Sequence, residues 1–365
     1  MSRVFGSSYE SMVFDGKALE IVSEDAAQLR SIEHQFSSLR RAGVVAYFPV
    51  ETKGGMATVR FETSAAGSAF AKSIVKTNSL SRQRLIDLEL QAGQPLANTA
   101  RDNLQAALLP ADRGIDAGKT VFIIDSAYYG LLPETLELNG GAVLSSSNLA
   151  SALDTLRFLQ ETHVKPEDFT AFVGYPESDN DLKAIFNDQP TAQLATWKER
   201  IGEVRKLSAE FGFTLYGSTE LNKLPNKEAV LKEIENSRGI LWITAHSGGC
   251  RVRLSAGEAV EISANDVASL HLSKKPFVIV RACNGNEAGF AKAFISAGAR
   301  AVWVNQGKIL ASEVNSQLRE FLTASKQKTI AQAIETVKQS SPQAAHSSGL
   351  HVELVLPEVH HAPNN

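Results

Sequence analysis

Two apolar runs of this chain end on residues that could carry out acyl transfer. "GILWITA" (239–245) runs into His246, and "PFVIVRA" (276–282) runs into Cys283. The two residues are 37 positions apart (283 − 246). That rules out a local metal clip between them and suits the crossover between two neighbouring parallel strands. If the runs are neighbours, an imidazole and a thiol meet at one sheet edge. The imidazole can take the thiol proton, because a thiolate attacks a carbonyl far better than a thiol, and can later protonate the leaving amine. The oxyanion formed on attack needs donors. The backbone N–H groups of Gly248 and Cys283 are placed to supply them, and glycine lets a backbone approach closely. The ordinary alternative is that Cys283 is a small core hydrophobe and His246 a satisfied polar residue. Cys250, four residues after His246, could be the reactive thiol, a bystander or half of a His-x-x-x-Cys metal pair. Two further ligands at plausible spacing are missing, so no metal is expected.

The elements that would position this pair follow a strand–helix rhythm. "TVFIID" (120–125), "FTAFVGY" (169–175), the two runs above and "RAVWVN" (300–305) have no polar alternation, which marks strands buried on both faces. Between them lie helical patterns. Leu149, Leu153, Leu156 and Leu159 share one face, as do Leu194, Trp197, Ile201, Val204 and Leu207. "PNKEAVLKEIEN", "EAGFAKAFISAG" (stopped by Gly298), "SEVNSQLREFLTAS" and "TIAQAIETVKQ" read as further helices, and "HVELVLP" as a last strand. "RVRLS" and "AVEIS" suggest a hairpin joined at Ala256-Gly257-Glu258, and "ANDVASLHL" a short helix capped by Ser263 or Asn265. Alternation of this kind builds a mostly parallel α/β sheet with helices on both faces. Chemistry then collects beyond the carboxyl ends of the strands, where His246 and Cys283 stand. Residues 1 to about 75 are less legible: "DAAQLRSIEHQFSSLRRAG" looks helical, "MATVRFET" like a strand, and "AAGSAFAKS" is mixed. "SRQRLIDLELQAGQ" and "ARDNLQAALLP" read as helices feeding the first core strand.

The totals narrow the function classes. The chain has 365 residues, 43% hydrophobic and 21% charged, with a formal net charge of −3. This leaves no basic surface for nucleic acid, so none is expected to bind directly. No run approaches the roughly 18 apolar residues of a membrane span. The first residues lack the apolar core of a secretion signal, and two cysteines are too few for a disulfide framework. A cytoplasmic location is therefore the expectation. Nucleotide-binding signatures, G-x-G-x-x-G or G-K-[ST], do not follow the first strand, and nothing repeats at 34 residues.

The span from about 239 to 338 resembles the CHAT family, caspase-like cysteine peptidases related to caspases, separase and legumain. The likeness rests on Ala245-His246-Ser247-Gly248 and Arg281-Ala282-Cys283-Asn284-Gly285, followed by Gly289-Phe290-Ala291-Lys292-Ala293-Phe294 and Ala297-Gly298-Ala299-Arg300. "ISANDVASLHL" matches the family's short helix between the two strands. Weaker similarity upstream, in "VFIIDSAYYGLLPETL", "TAFVGYPESDNDL" and "ERIGEVRKLSAEFG", extends it over residues 120–365. There are departures. Ser247 stands where the family has Gly, with Gly248 and Gly249 behind it, and Arg281 replaces the family's Ser. Positions 281 and 283 share a strand face, so the Arg281 cation would either favour a thiolate at Cys283 or pair with a nearby carboxylate.

The resemblance implies a caspase-like three-layer sandwich over residues 116–365, with a smaller α/β or helical segment, residues 1–115, available for regulation. It implies a protein-cleaving Cys/His dyad without metal or organic cofactor, Cys283 as nucleophile and His246 as general base and acid. It also implies activation by a protein partner, with bacterial defence or cell death as the family's frequent settings. The pocket for the residue before the scissile bond maps to Asp125, Ser126 and the run Trp303, Val304, Asn305, Gln306. There Asp125 would favour a basic residue, or would only cap a loop. Glu287 lies close to Cys283 in sequence and could orient His246, although peptidases of this clan work as a Cys/His dyad. The competing expectation is a catalytically inactive adaptor of the same fold, to which Ser247 and Arg281 lend themselves.

Overall fold

A computed structural model describes residues 9–92, 103–104, 106–109, 116, 119–124, 143–145, 149–175, 192–217, 224–248, 251–253, 260–283, 289–305, 309, 311–341 and 348–352. Its centre is a run of five parallel strands in the order β9–β8–β10–β13–β14: β8 (Phe169–Gly174), β9 (Thr214–Tyr216), β10 (Ile240–Gly248), β13 (Phe277–Ala282) and β14 (Ala301–Asn305). Phe-Val-Ile-Val in β13 and Ala-Val-Trp-Val in β14 are wholly buried, as a parallel strand covered on both faces requires.

On one face the sheet buries Phe169, Trp242, Ile279 and Trp303. They pack under α3 (Leu149–Glu161), α4 (Ala192–Phe211), α8 (Ala311–Ser325) and α9 (Ile330–Ser340). The Phe321 ring of α8 lies 6.0 Å from Trp242 and 6.3 Å from Phe169. On the other face, Leu241, Ile243, Val278, Val280 and Val302 meet α5 (Lys227–Asn236), α6 (Ala264–Ala268) and α7 (Phe290–Ser296). Each such large apolar side chain contributes about 1.5–3 kcal/mol when fully buried. The three layers are thus a direct reading of the period-2 alternation in β10, β13 and β14.

Local chemistry fixes where these elements begin and end. Gly239 (φ +63°) opens β10, and a Cβ there would stand 2.4 Å from the Asp168 carbonyl oxygen that precedes β8, so only glycine lets the two strands start side by side. Asn226 caps α5 by accepting from the Ala229 N–H at 2.9 Å. Of the two expected caps of α6, Ser263 is the one used: it exchanges hydrogen bonds with Asp266 in a capping box. The Lys227 ammonium lies 2.6 Å from the same carboxylate.

The hairpin ahead of α6 also forms. β11 (Arg251–Arg253) and β12 (Glu261–Ser263) pair antiparallel, and β11 in turn folds back on the end of β10. The last strand, β15 (Ser348–Val352), starts earlier than the sequence pattern suggested. It runs antiparallel to β14 and parallel to β7 (Val143–Ser145). It thereby links the five parallel strands to β7 and β6 (Thr120–Ile123).

The N-terminal region carries more sheet than its sequence announced. β1 (Tyr9–Phe14), β2 (Lys17–Val22), β3 (Val44–Thr52), β4 (Gly55–Thr63) and β5 (Phe70–Asn78) form an antiparallel sheet. Its faces are covered by α1 (Ser23–Ser38) and α2 (Arg82–Ala92). The mixed stretch around Ala65 to Ser73 turns out to enter β5, where Phe70 packs on Phe36 and Phe61. β3 also pairs in parallel with β6, so the same sheet continues from one region into the other.

A partly buried ionic cluster reinforces that seam. Arg60 bridges Asp116 and Glu62, each at 2.7 Å, Lys119 reaches Glu62 at 2.6 Å, and the Tyr47 hydroxyl donates to Asp116. Burial, then the Asp116 carboxylate, pushes the Tyr47 phenol far above its usual range.

The α6 cap gives a prediction. Burial works against ionisation of Asp266, but Lys227 and the Ser263 hydroxyl and amide outweigh it and lower its pKa from 3.8 to about 2. A carboxylate lowered on folding stabilises the fold at pH values above its unfolded pKa, and that support fades as the pH drops from about 4 to about 2. Asp266→Asn is expected to cost about 1–2 kcal/mol at pH 7. The gap to wild type should narrow at pH 2.5, as read by urea unfolding at both pH values.

Candidate active site

β10 and β13 pair in parallel from Ile240↔Phe277 to Ala245↔Ala282. β8 pairs with β10 on its other side, ending Ala245↔Gly174. The next residue along each strand is Tyr175, His246 and Cys283. The register therefore brings all three backbones to one row at the carboxyl edge of the sheet, and the strands carrying the expected dyad are direct neighbours. β10 continues past this row to pair His246 with Arg253 and Gly248 with Arg251, so the backbone of the expected oxyanion loop is held in a two-stranded ladder.

Cys283 is partly exposed and is a free thiol. Its Sγ donates to the Ile309 carbonyl oxygen at 3.7 Å, a contact from the segment that follows β14. The preceding amide, Ala282 N–H, is also held from β14: it donates to Asn305 Oδ1 at 3.1 Å. Asn305 is 1% exposed. Expected to line a substrate pocket, it stands here beneath the edge and fixes the last peptide before the cysteine. Trp303 is 0% exposed, and it too lies inside the sheet's covered face rather than in an open cleft.

The row below the edge is unusual. Thr244 and Arg281 are register partners, Asn305 follows the last β13–β14 pair, and all three are buried. The Arg281 guanidinium carbon sits 3.7 Å from the Trp303 ring centroid and 6.0 Å from that of Trp242. Trp242 Nε1 donates to Thr244 Oγ1 at 2.8 Å. Arg281 thus occupies an aromatic slot formed by the two flanking strands.

At the end of β8, Tyr175 donates to Asn315 Oδ1 at 2.7 Å. Asn315 passes its own amide hydrogens to the Arg200 carbonyl (3.1 Å) and Glu203 Oε2 (2.9 Å) of α4. Burial pushes the Tyr175 phenol well above its usual range, which keeps it a donor. Trp197 packs on Tyr175 with ring centroids 5.1 Å apart. This network escaped the sequence reading because its partners are up to 140 residues apart. Arg281 did announce itself, as the one charge in an apolar run. Its two tryptophans are recognisable only once the strand order is known.

Asp125, Ser126, Cys250, Glu287 and Gln306 lie outside the described residues. Among the described residues no group of three or more His, Cys, Asp or Glu could hold a metal ion, and no helix is long and apolar enough to cross a membrane.

No protein-family model matches the chain, and no curated protein matches it in sequence. Solved structures with a similar course of the chain include the Saccharomyces cerevisiae separase–securin complex, at a TM-score of 0.49 and 8% identity over 91% of this chain. The match spans 31% of the chain in that complex. The complex of Porphyromonas gingivalis RgpB pro- and mature domains is similar at a TM-score of 0.41 and 11% identity, covering 74% of each chain. The Arg-specific cysteine proteinase gingipain R follows at 0.40 and 9%, covering 76% of this chain and 68% of that one.

The Asn305 bond is open to a direct test. Asn305→Ala removes the acceptor of a buried amide and is expected to cost about 1–3 kcal/mol of stability. The loss should appear as a lower urea midpoint with an unchanged slope.

Proposed function

We propose that this chain is a caspase-like cysteine endopeptidase of the CHAT type, acting on a protein substrate. What supports this most is the register of β10 on β13, which ends the two strands on one row with His246 and Cys283 as the next residues. In this reading His246 takes the Cys283 proton, and the thiolate adds to the scissile carbonyl carbon. The oxyanion is received by the Gly248 and Cys283 N–H groups. The intermediate collapses to a thioester as the imidazolium hands its proton to the leaving amine. Water, deprotonated by His246, then releases the acid and restores the thiol. Apart from substrate and water, these steps use protein groups alone.

Asp125 is proposed to select a basic residue before the cleaved bond. Asn305 and Trp303, being enclosed, would serve that pocket by supporting its floor. Residues 1–115 are proposed to receive an activating partner, and the protein is proposed to work in the cytoplasm.

One observation favours a second reading, a catalytically inactive adaptor of the same fold. The Cys283 thiol is engaged with the Ile309 carbonyl, and Ser247 and Arg281 depart from the family pattern. A thiol-directed peptide warhead separates the two: labelling that disappears in Cys283→Ala supports the enzyme.

Cleavage of a proteome-derived peptide library, read by mass spectrometry, is the test of function. Cys283→Ala and His246→Ala are each expected to lower cleavage by about a thousandfold or more, and Asp125→Ala to abolish any preference for Arg or Lys before the cut. Cleavage that persists in Cys283→Ala would overturn the assignment.

A further inference from the structure

A guanidinium enclosed in the covered face of a parallel sheet is costly to desolvate. Arg281 nevertheless stands there at 1% exposure, two residues before Cys283. Its flanks explain the position. Trp242 and Trp303 come from the strands on either side, both register partners of Ile279, and the guanidinium carbon lies over both indoles. The adjoining members of its row are polar as well. Thr244 is its partner on β10 and is itself tied to Trp242. Asn305 on β14 holds the Ala282 amide, the link between Arg281 and Cys283. Three neighbouring strands thus contribute one polar side chain each to a layer directly below the dyad's row, while the row beneath it is Trp242, Ile279 and Trp303.

We propose that Arg281 is a positioning residue: its planar guanidinium, wedged between Trp242 and Trp303, sets the height and direction at which β13 ends and so places Cys283 opposite His246. This rests on the peptidase reading for its consequence in catalysis, though not for its structural content. A planar group fills a slot between two indoles, and a methylene stem with an ammonium does not. An apolar chain of similar volume fills the slot but gives up the stack and the polar layer. A displacement of about 1 Å at a nucleophile is enough to cost about 100-fold in turnover.

The test uses the full chain carrying Arg281→Met, Arg281→Lys or Trp303→Phe, with two readouts. The first is kcat and KM on the best peptide from the library. The second, independent of activity, is hydrogen–deuterium exchange of the amides at the end of β13 compared with those of β8. Arg281→Met and Arg281→Lys are both expected to lower kcat by about 10- to 100-fold, with KM within about threefold of wild type, and to speed exchange at Ala282 and Cys283 while β8 stays protected. A folded Arg281→Lys or Arg281→Met with wild-type kcat and wild-type exchange overturns the proposal.

Should either Arg281 variant fail to fold, Trp303→Phe carries the test. It keeps an aromatic ring in the core, and a few-fold loss in kcat with faster exchange at Ala282 is expected. No change in either overturns the proposal. If the wild type cleaves nothing, the peptidase reading fails by itself and exchange still decides. Faster exchange confined to the end of β13 supports the positioning role, and unchanged exchange removes it.

Discussion

The parallel ladder between β10 and β13 is the constraint on which the rest of this structure depends. Six consecutive pairs lock two strands whose register partners lie 37 positions apart in the chain (277 − 240). A slip of one residue would turn every side chain to the opposite face. It would send Trp242 and Ile279 to the wrong layer and break the row that holds His246 and Cys283. Register here is matched by packing: the indoles and Phe169 lie on the side under α4 and α8, while Ile243, Val278 and Val280 lie on the side under α5, α6 and α7. The same packing that stabilises the sheet therefore decides which residues arrive at its edge.

Above that apolar base the structure changes character within one row. Thr244, Arg281 and Asn305 are polar and enclosed, and Tyr175 beside them is tied through Asn315 to α4. Polar groups inside a core raise uniqueness only when their hydrogen bonds are made. Those of Asn305 and Asn315 are directed at backbone and at neighbouring helices. Apolar packing sets the register of the strands, and directional bonds then fix how the strands end.

Much of this was legible in the sequence, for identifiable reasons. The strands of the parallel core have no polar alternation, and their helices repeat at 3.6 residues, so both kinds of element could be read locally. The crossover length suited adjacent strands without requiring them, and the structure supplies the adjacency of β10 and β13. The Ser263 cap was one of two candidates, and the structure chose it through the Asp266 partner. The N-terminal sheet was harder. β1, β2 and β5 are half-exposed strands of mixed composition, and their pairing depends on long-range partners that no window of sequence contains. The same holds at the site, where the end residues of the strands were found by type and position. Their supports were not, because Trp242, Trp303 and Asn305 gain meaning only from being side by side with Arg281.

The last described strand has a consequence for how such a chain is made. β15 sits between β14 and β7, so it is the only described strand that joins the five-stranded parallel block to the block containing β6 and β3. Both blocks precede it in chain order. On a ribosome each can gather its own helices as it emerges, yet the sheet stays open along one line, with two unpaired edges facing each other, until residues 348–352 are released. Closure then joins strands far apart in the chain, β15 with β7 above all, which is pairing of high contact order. A nascent chain caught before it would expose adhesive strand edges. The architecture thus ties completion of the sheet to the arrival of β15, and β14, the strand that supports Cys283 through Asn305, forms one of the edges that must wait.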